Sequence, residues 1–147
     1  MMGNRQADVV RADETREAPM EPFTIVNLLD LDDVVSGRTE GLEGRFGRAS
    51  LGSRDLGVSH WRYAPGLRAS RGHRHGEQEE AYIVVAGSGR ILLDDEVHEL
   101  RQWDVVRVAP PVVRAFAAGP EGMDIIAIGG PKPEGGDGEM LEVDWPD

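Results

Sequence analysis

The chain of 147 residues offers enough material for one domain, and with 39% hydrophobic but only 5% aromatic residues its core must be mainly aliphatic. A net charge of −11 repels phosphate backbones and argues against nucleic acid as a partner, and the absence of cysteine excludes disulfides, thiolate metal sites and cysteine nucleophiles. No segment approaches the roughly 18 apolar residues of a membrane span, so the expectation is a soluble, cytoplasmic protein with no membrane partner.

Residues 1–22 are polar and closed by Pro19 and Pro22, and read as a flexible N-terminal arm. Phe23 to Asn27 reads as a short strand. Leu28 to Val35 has apolar residues at helix-like spacing, which suits a short helix or turn. Residues 37–57 hold six glycines and read as irregular, with one short strand around Arg45 to Leu51. Val58 to Ala64 alternates and stops at the turn signal Pro65-Gly66. His73 and His75 precede a strand from Glu80 to Ala86, and Gly87-Ser88-Gly89 reads as a tight turn. Strands are then expected at Arg90 to Asp94, Glu96 to Leu100, Asp104 to Val108, Val112 to Ala117 and Met123 to Ile128. The breaks between them are Asp94-Asp95, Pro110-Pro111 and Gly119-Pro120. Residues 131–147 are acidic, with glycines and prolines, and read as a tail. Short strands at this spacing predict an all-β sandwich or barrel over residues 23–130.

The chemistry concentrates at His73 and His75. Two residues apart on a strand, their imidazoles point to one face. Glu80 opens the next strand and can return its carboxylate to that face. Two neutral imidazoles and a carboxylate suit a divalent ion such as Zn, Fe, Mn, Ni or Co. Lys132, the single lysine, lies between two prolines in the acidic tail, which argues against Schiff-base chemistry.

The spacing His-x-His-x4-Glu-x6-Gly, carried by His73, His75, Glu80 and Gly87, resembles the first motif of the cupin superfamily. Tyr82 to Gly89 continues the likeness, which covers roughly residues 24–130 and points to a small single-domain cupin of the conserved-barrel type. Gly66 stands one residue further from His73 than the leading glycine usually does. The resemblance implies a double-stranded β-helix, a jelly-roll barrel of two antiparallel sheets. It also implies a homodimer, with residues 23–31 able to supply an exchanged edge strand.

A second motif usually supplies a fourth metal ligand, a histidine. The corresponding stretch, Trp103 to Phe116, departs from it. Trp103 stands where glycine is usual, Ala109 where proline is, Pro111 where glycine is, and Arg114 where the histidine is; Ala118 replaces an asparagine. A guanidinium stays protonated and cannot ligate a cation. Arg114 therefore either pairs with Glu80 or binds a substrate carboxylate or phosphate. His60, on the preceding strand, can replace the missing ligand or meet the substrate if it faces inward. Trp61 and Tyr63 alternate with His60 and Arg62, so one of these pairs lines the interior.

Tyr82 shares parity with Glu80 and faces the interior, as core wall or as a ligand contact through its hydroxyl. Phe116 shares parity with Arg114 and is expected in the core. Trp103 is expected to pack at a strand start or an interface. Glu77, Gln78 and Glu79 read as solvated loop, with Gln78 a substitute ligand. His98 reads as surface. Arg68, Arg71 and Arg74 read as a loop rim able to attract an anion. The function expected is a cupin that binds a divalent metal on His73, His75 and Glu80 and a small polar or carboxylated molecule beside it. Dioxygenase-like or isomerase-like chemistry is what the resemblance implies for an enzyme. The alternative is a metal-free binding or sensing module in which Glu80 and Arg114 pair inside the pocket.

Overall fold

The computed structural model describes residues 21–147. The expected arm at residues 1–22 lies almost wholly outside them. The first described segment is extended and unpaired, not the strand expected at Phe23 to Asn27, and Phe23 and Ile25 are 78% and 88% exposed. A single 3-10 turn follows at Leu28–Asp30, opened by the Asn27 side chain, which accepts a hydrogen bond from the Leu29 N–H. The Asp33 carboxylate then accepts from the N–H groups of Val35, Ser36 and Gly44, which ties this entry segment to the first strand.

Eight strands form one curled antiparallel sheet. They are β1 (Leu42–Phe46), β2 (Gly57–Tyr63), β3 (Arg71–His75), β4 (Glu80–Leu93), β5 (Glu96–Leu100), β6 (Val105–Val108), β7 (Arg114–Gly129) and β8 (Gly138–Glu142). A four-residue helix, α1 (Arg48–Leu51), occupies the place where a strand was expected, and the strand lies earlier, at β1. The order along the sheet is β1-β2-β7-β3-β8, and β4 pairs with β5, β6 and β7. This is a jelly-roll barrel.

Two expected turns are bends within long strands. Gly87-Ser88-Gly89 does not reverse the chain; β4 runs through it with register shifts against β7. Gly87 has a φ of 70°, and a Cβ there would overlap the Gly122 carbonyl, so only glycine lets the two strands pass so closely. Likewise β7 runs through Gly119-Pro120. Its first half pairs with the end of β4, and its second half lies between β2 and the start of β4. The two bent strands thus belong to both faces of the barrel and close it.

The C-terminal segment, expected as a tail, carries β8, which pairs with β3 from Arg71↔Glu142 to His75↔Gly138. Trp145 donates to the Ala69 carbonyl, and Asp147 pairs with Arg68 and Arg90.

The core joins Tyr63, Tyr82, Val84, Ile91, Phe116 and Ile125 with the smaller apolar residues around them. Tyr82 and Phe116 both point inward as their parity predicts, with ring centroids 5.0 Å apart. Trp103 is otherwise: it is 68% exposed and holds a φ of 75° in the turn before β6. A left-handed conformation costs a bulky L-residue about 1–2 kcal/mol, and the exposed ring recovers little by burial. Trp103→Gly is therefore expected to raise folding stability by about 1 kcal/mol in urea denaturation. An unchanged midpoint would show that the ring's contacts offset the backbone strain.

Candidate metal and ligand site

The inner face of β3 presents Arg71, His73 and His75 in alternation, and Gly72 between them faces β7. A Cβ at Gly72 would come within 2.5 Å of the Arg114 carbonyl, so glycine allows β3 to lie close against the start of β7. That approach sets His73 opposite Arg114. Glu80 and Tyr82 enter from the first turn of β4.

His73 Nε2 and His75 Nε2 each lie 3.0 Å from Glu80 Oε1. The Tyr82 hydroxyl donates to the same oxygen at 2.5 Å. One ligand atom from each of His73, His75 and Glu80 can be chosen so that all lie within 4.8 Å of one another. Burial works against a charge on Glu80, but the hydrogen bonds from His73 and Tyr82 and the two imidazoles outweigh it, and its pKa falls to about 2. Burial, then the Glu80 charge, pushes the Tyr82 phenol well above its ordinary value, so it remains a donor.

Asp137 completes the arrangement and was not found in the sequence. Its Oδ1 lies 2.8 Å from His75 Nδ1, and its Oδ2 accepts from the Glu77 and Gln78 N–H groups at 2.6 and 2.9 Å. Those N–H groups and His75 outweigh burial and hold the carboxyl below its usual range. His75 therefore has a carboxylate oxygen at each nitrogen. A neutral imidazole can donate to only one. With Nδ1–H given to Asp137, the Nε2 lone pair faces Glu80, the position in which a metal ligand is needed. Nothing local marks Asp137, which lies 62 residues from His75 in an acidic, glycine-rich stretch.

Arg114 is 1% exposed. Its Nη1 donates to the carbonyls of Val112 at 2.7 Å and Pro110 at 3.2 Å, and its Nη2 stands 3.7 Å from Glu80 Oε1. Nε and Nη2 have no hydrogen-bond partner among the described residues. The guanidinium is almost fully buried, yet it lines the same cavity as His73, His75 and Glu80. His60 does not join the group. Its Nε2 meets Asp124 Oδ2 at 3.0 Å, beside Arg62 on the other face of β2, while Trp61 and Tyr63 line the cavity. Gln78 is buried and donates to the Gly130 carbonyl, so it is fixed in place and not a solvated loop residue. His98 is at the surface as expected, beside Glu96.

The donor set fits a divalent ion. Two bonds of about 2.1 Å meeting at a right angle end about 3.0 Å apart, and this is the spacing of each imidazole nitrogen from Glu80 Oε1. A carboxylate on the outer nitrogen of His75 is the usual support for a ligating imidazole. Beside this wall opens a cavity of about 880 Å³.

Residues 59–129 match the family described as a cupin domain. The chain is a small cupin-domain protein. Its fold is shared by a cupin protein from Bacteroides fragilis, with a TM-score of 0.63 and 22% identity over 85% of this chain and 92% of that one. It is shared too by a sugar phosphate isomerase of the cupin superfamily from Silicibacter pomeroyi, with a TM-score of 0.66 and 20% identity over 82% of each chain. A third similar structure is Pac13 from Streptomyces, a nucleoside dehydratase, with a TM-score of 0.65 and 14% identity over 81% of this chain and 91% of that one. No curated protein matches the chain in sequence. Among the described residues no helix is long and apolar enough to cross a membrane.

Proposed function

We propose that the barrel holds a divalent metal ion on His73, His75 and Glu80 and binds a small polar or carboxylated molecule in the cavity beside it. The observation that carries this reading is the convergence of the two Nε2 atoms on one carboxylate oxygen, with His75 held from behind by Asp137. A bound ion would supply Lewis-acid polarisation of a ligand oxygen. Among the chain's own residues, Tyr82 holds a proton beside Glu80.

A second reading is a metal-free binding module in which Glu80 and Arg114 pair. It is favoured by the full burial of Arg114 at 3.7 Å from Glu80, since a fixed cation there opposes a second one. Elemental analysis of protein purified without a metal-affinity tag separates the two. Close to one metal per chain, lost in His75→Ala, is the expected result. Metal found only in Arg114→His would overturn it and leave the ion pair as the site's purpose.

We propose further that two chains form a homodimer. The exposed Phe23 and Ile25 adjoin no strand of their own chain, and Val105 and Ile128 lie exposed on the outer side of the sheet. Sedimentation velocity is expected to show twice the chain mass of 16.1 kDa. A single species at the chain mass would end this proposal.

A further inference from the structure

In this acidic chain, nine of the thirteen described lysine and arginine side chains have a carboxylate within ion-pair distance. The exceptions among the described residues are Arg38, Arg48, Arg71 and Lys132. Three of these four, Arg48, Arg71 and Lys132, line the one cavity that also holds the His73–His75–Glu80 wall. Glu142 stands opposite Arg71 across the β3–β8 ladder, yet the two form no ion pair. Arg48 gives its donors to the backbone carbonyls of Arg54 and Gly130, which fixes its charge in place without neutralising it. Arg48, Arg71, Arg114 and Lys132 outnumber the Glu80 and Asp137 carboxylates in the cavity lining, an excess of positive charge in a chain whose net charge is −11.

The wall below those cations is apolar and aromatic. Phe46, Trp61, Tyr63, Phe116, Ile125 and Met140 line it. The Trp61 indole N–H donates to Ser59 Oγ, so the ring offers the cavity its apolar surface, and it meets Phe46 edge to face at 5.2 Å. Phe46 and Met140 stay about half exposed at this opening. The volume of about 880 Å³ falls in the range of roughly 300–1,000 Å³ that receives drug-sized molecules.

We infer that the cavity takes an organic anion with an apolar, ring-sized body. The acid group lies among Arg71, Lys132 and the histidine wall, and the body rests on Trp61 and Phe46. This deepens the metal-dependent reading of the same cavity by naming the ligand class, and it stands on different residues.

The test is calorimetric titration with phenylacetate, 3-phenylpropionate and phenyl phosphate, against phenylacetamide and acetate. Zinc-loaded and chelator-treated protein are both used, with metal content measured on the same samples. At least one aryl anion is expected to bind about tenfold or more tightly than both phenylacetamide and acetate. Arg71→Gln combined with Lys132→Gln should remove the preference over the amide. Phe46→Ser, at a half-exposed position, should remove the preference over acetate while leaving zinc content unchanged. Equal binding of phenylacetamide or acetate, or no saturation by any aryl anion at about 10 mM, overturns the inference. Aryl-anion preference in protein that takes up no zinc even after loading would sink the metal reading and leave this one standing. Zinc at one per chain with no aryl-anion preference would do the reverse.

Discussion

Arg114→Ala is expected to lose about 3–5 kcal/mol of folding stability, the size seen when one partner of a buried charge pair is removed. The side chain is sealed from solvent and joins three pieces of chain. Nη1 holds the carbonyls of Pro110 and Val112, which fixes the turn entering β7, and reaches the His73 carbonyl on β3 at 3.5 Å. Nη2 is the nearest cation to the Glu80 carboxylate on β4. Truncation leaves carbonyls without their donor, a void where a long side chain lay, and Glu80 without its counter-ion. Arg114→Met separates these effects, because it keeps most of the volume and discards the charge; roughly half the loss should return. Urea denaturation reads the result as a lower midpoint at unchanged slope. A change under about 0.5 kcal/mol for Arg114→Ala would place the residue among surface substitutions and contradict its role as a tie. The metal reading adds a second arm. Removing a fixed cation beside Glu80 should tighten zinc binding in Arg114→Met, since the Coulomb repulsion goes with it.

Asp137→Asn should weaken zinc binding by about 10–100-fold while the barrel stays folded. Asp137 is acceptor-only at both oxygens, to His75 Nδ1 and to the Glu77 and Gln78 N–H groups. An asparagine has one acceptor oxygen. If that oxygen serves the two loop N–H groups, its NH2 faces Nδ1 and donates to it. His75 must then carry its proton on Nε2, and a protonated nitrogen cannot ligate. Competition titration of zinc against a chelator measures the affinity. Nitrogen-15 spectra of the metal-free protein report the His75 tautomer, a change that a loosened loop alone would not produce. Unaltered affinity with an unaltered tautomer would remove Asp137 from the site's machinery.

Much of this could be read in advance. The alternation of β2, the spacing of His73, His75 and Glu80, and the regular recurrence of turn residues led to the barrel and to three convergent side chains. What escaped reading shares a physical cause. Gly87-Ser88-Gly89 and Gly119-Pro120 have the composition of hairpin turns, yet tertiary pairing with β7 and β4 holds them as bends, and no local signal distinguishes the two. His60 sat on a strand with His60 and Arg62 on one face and Trp61 and Tyr63 on the other, so parity alone could not choose; the pairing of His60 with Asp124 across β2 and β7 decides it. β8 is five residues of mixed polarity inside an acidic stretch, stabilised by a partner strand far back in the chain and not by any pattern of its own. Asp137 follows from β8, and Arg114 showed its departure from the usual histidine without showing that it holds the Pro110 and Val112 carbonyls before β7.

The pairing of β3 with β8 also bears on the order in which the molecule assembles. His75 and Asp137 lie 62 residues apart, and all the strands from β4 to β7 fall between them. During synthesis β3 emerges early with both edges unmatched; one meets β7 at Arg114, and the other stays open until residues 138–142 follow. Closing so long a loop is entropically costly before its contacts reward it, which places this pairing late on the folding route. The ligand wall is therefore built last: a partly folded chain holds two imidazoles on a strand that has nothing yet to orient them, and becomes competent to capture an ion only as the barrel finishes.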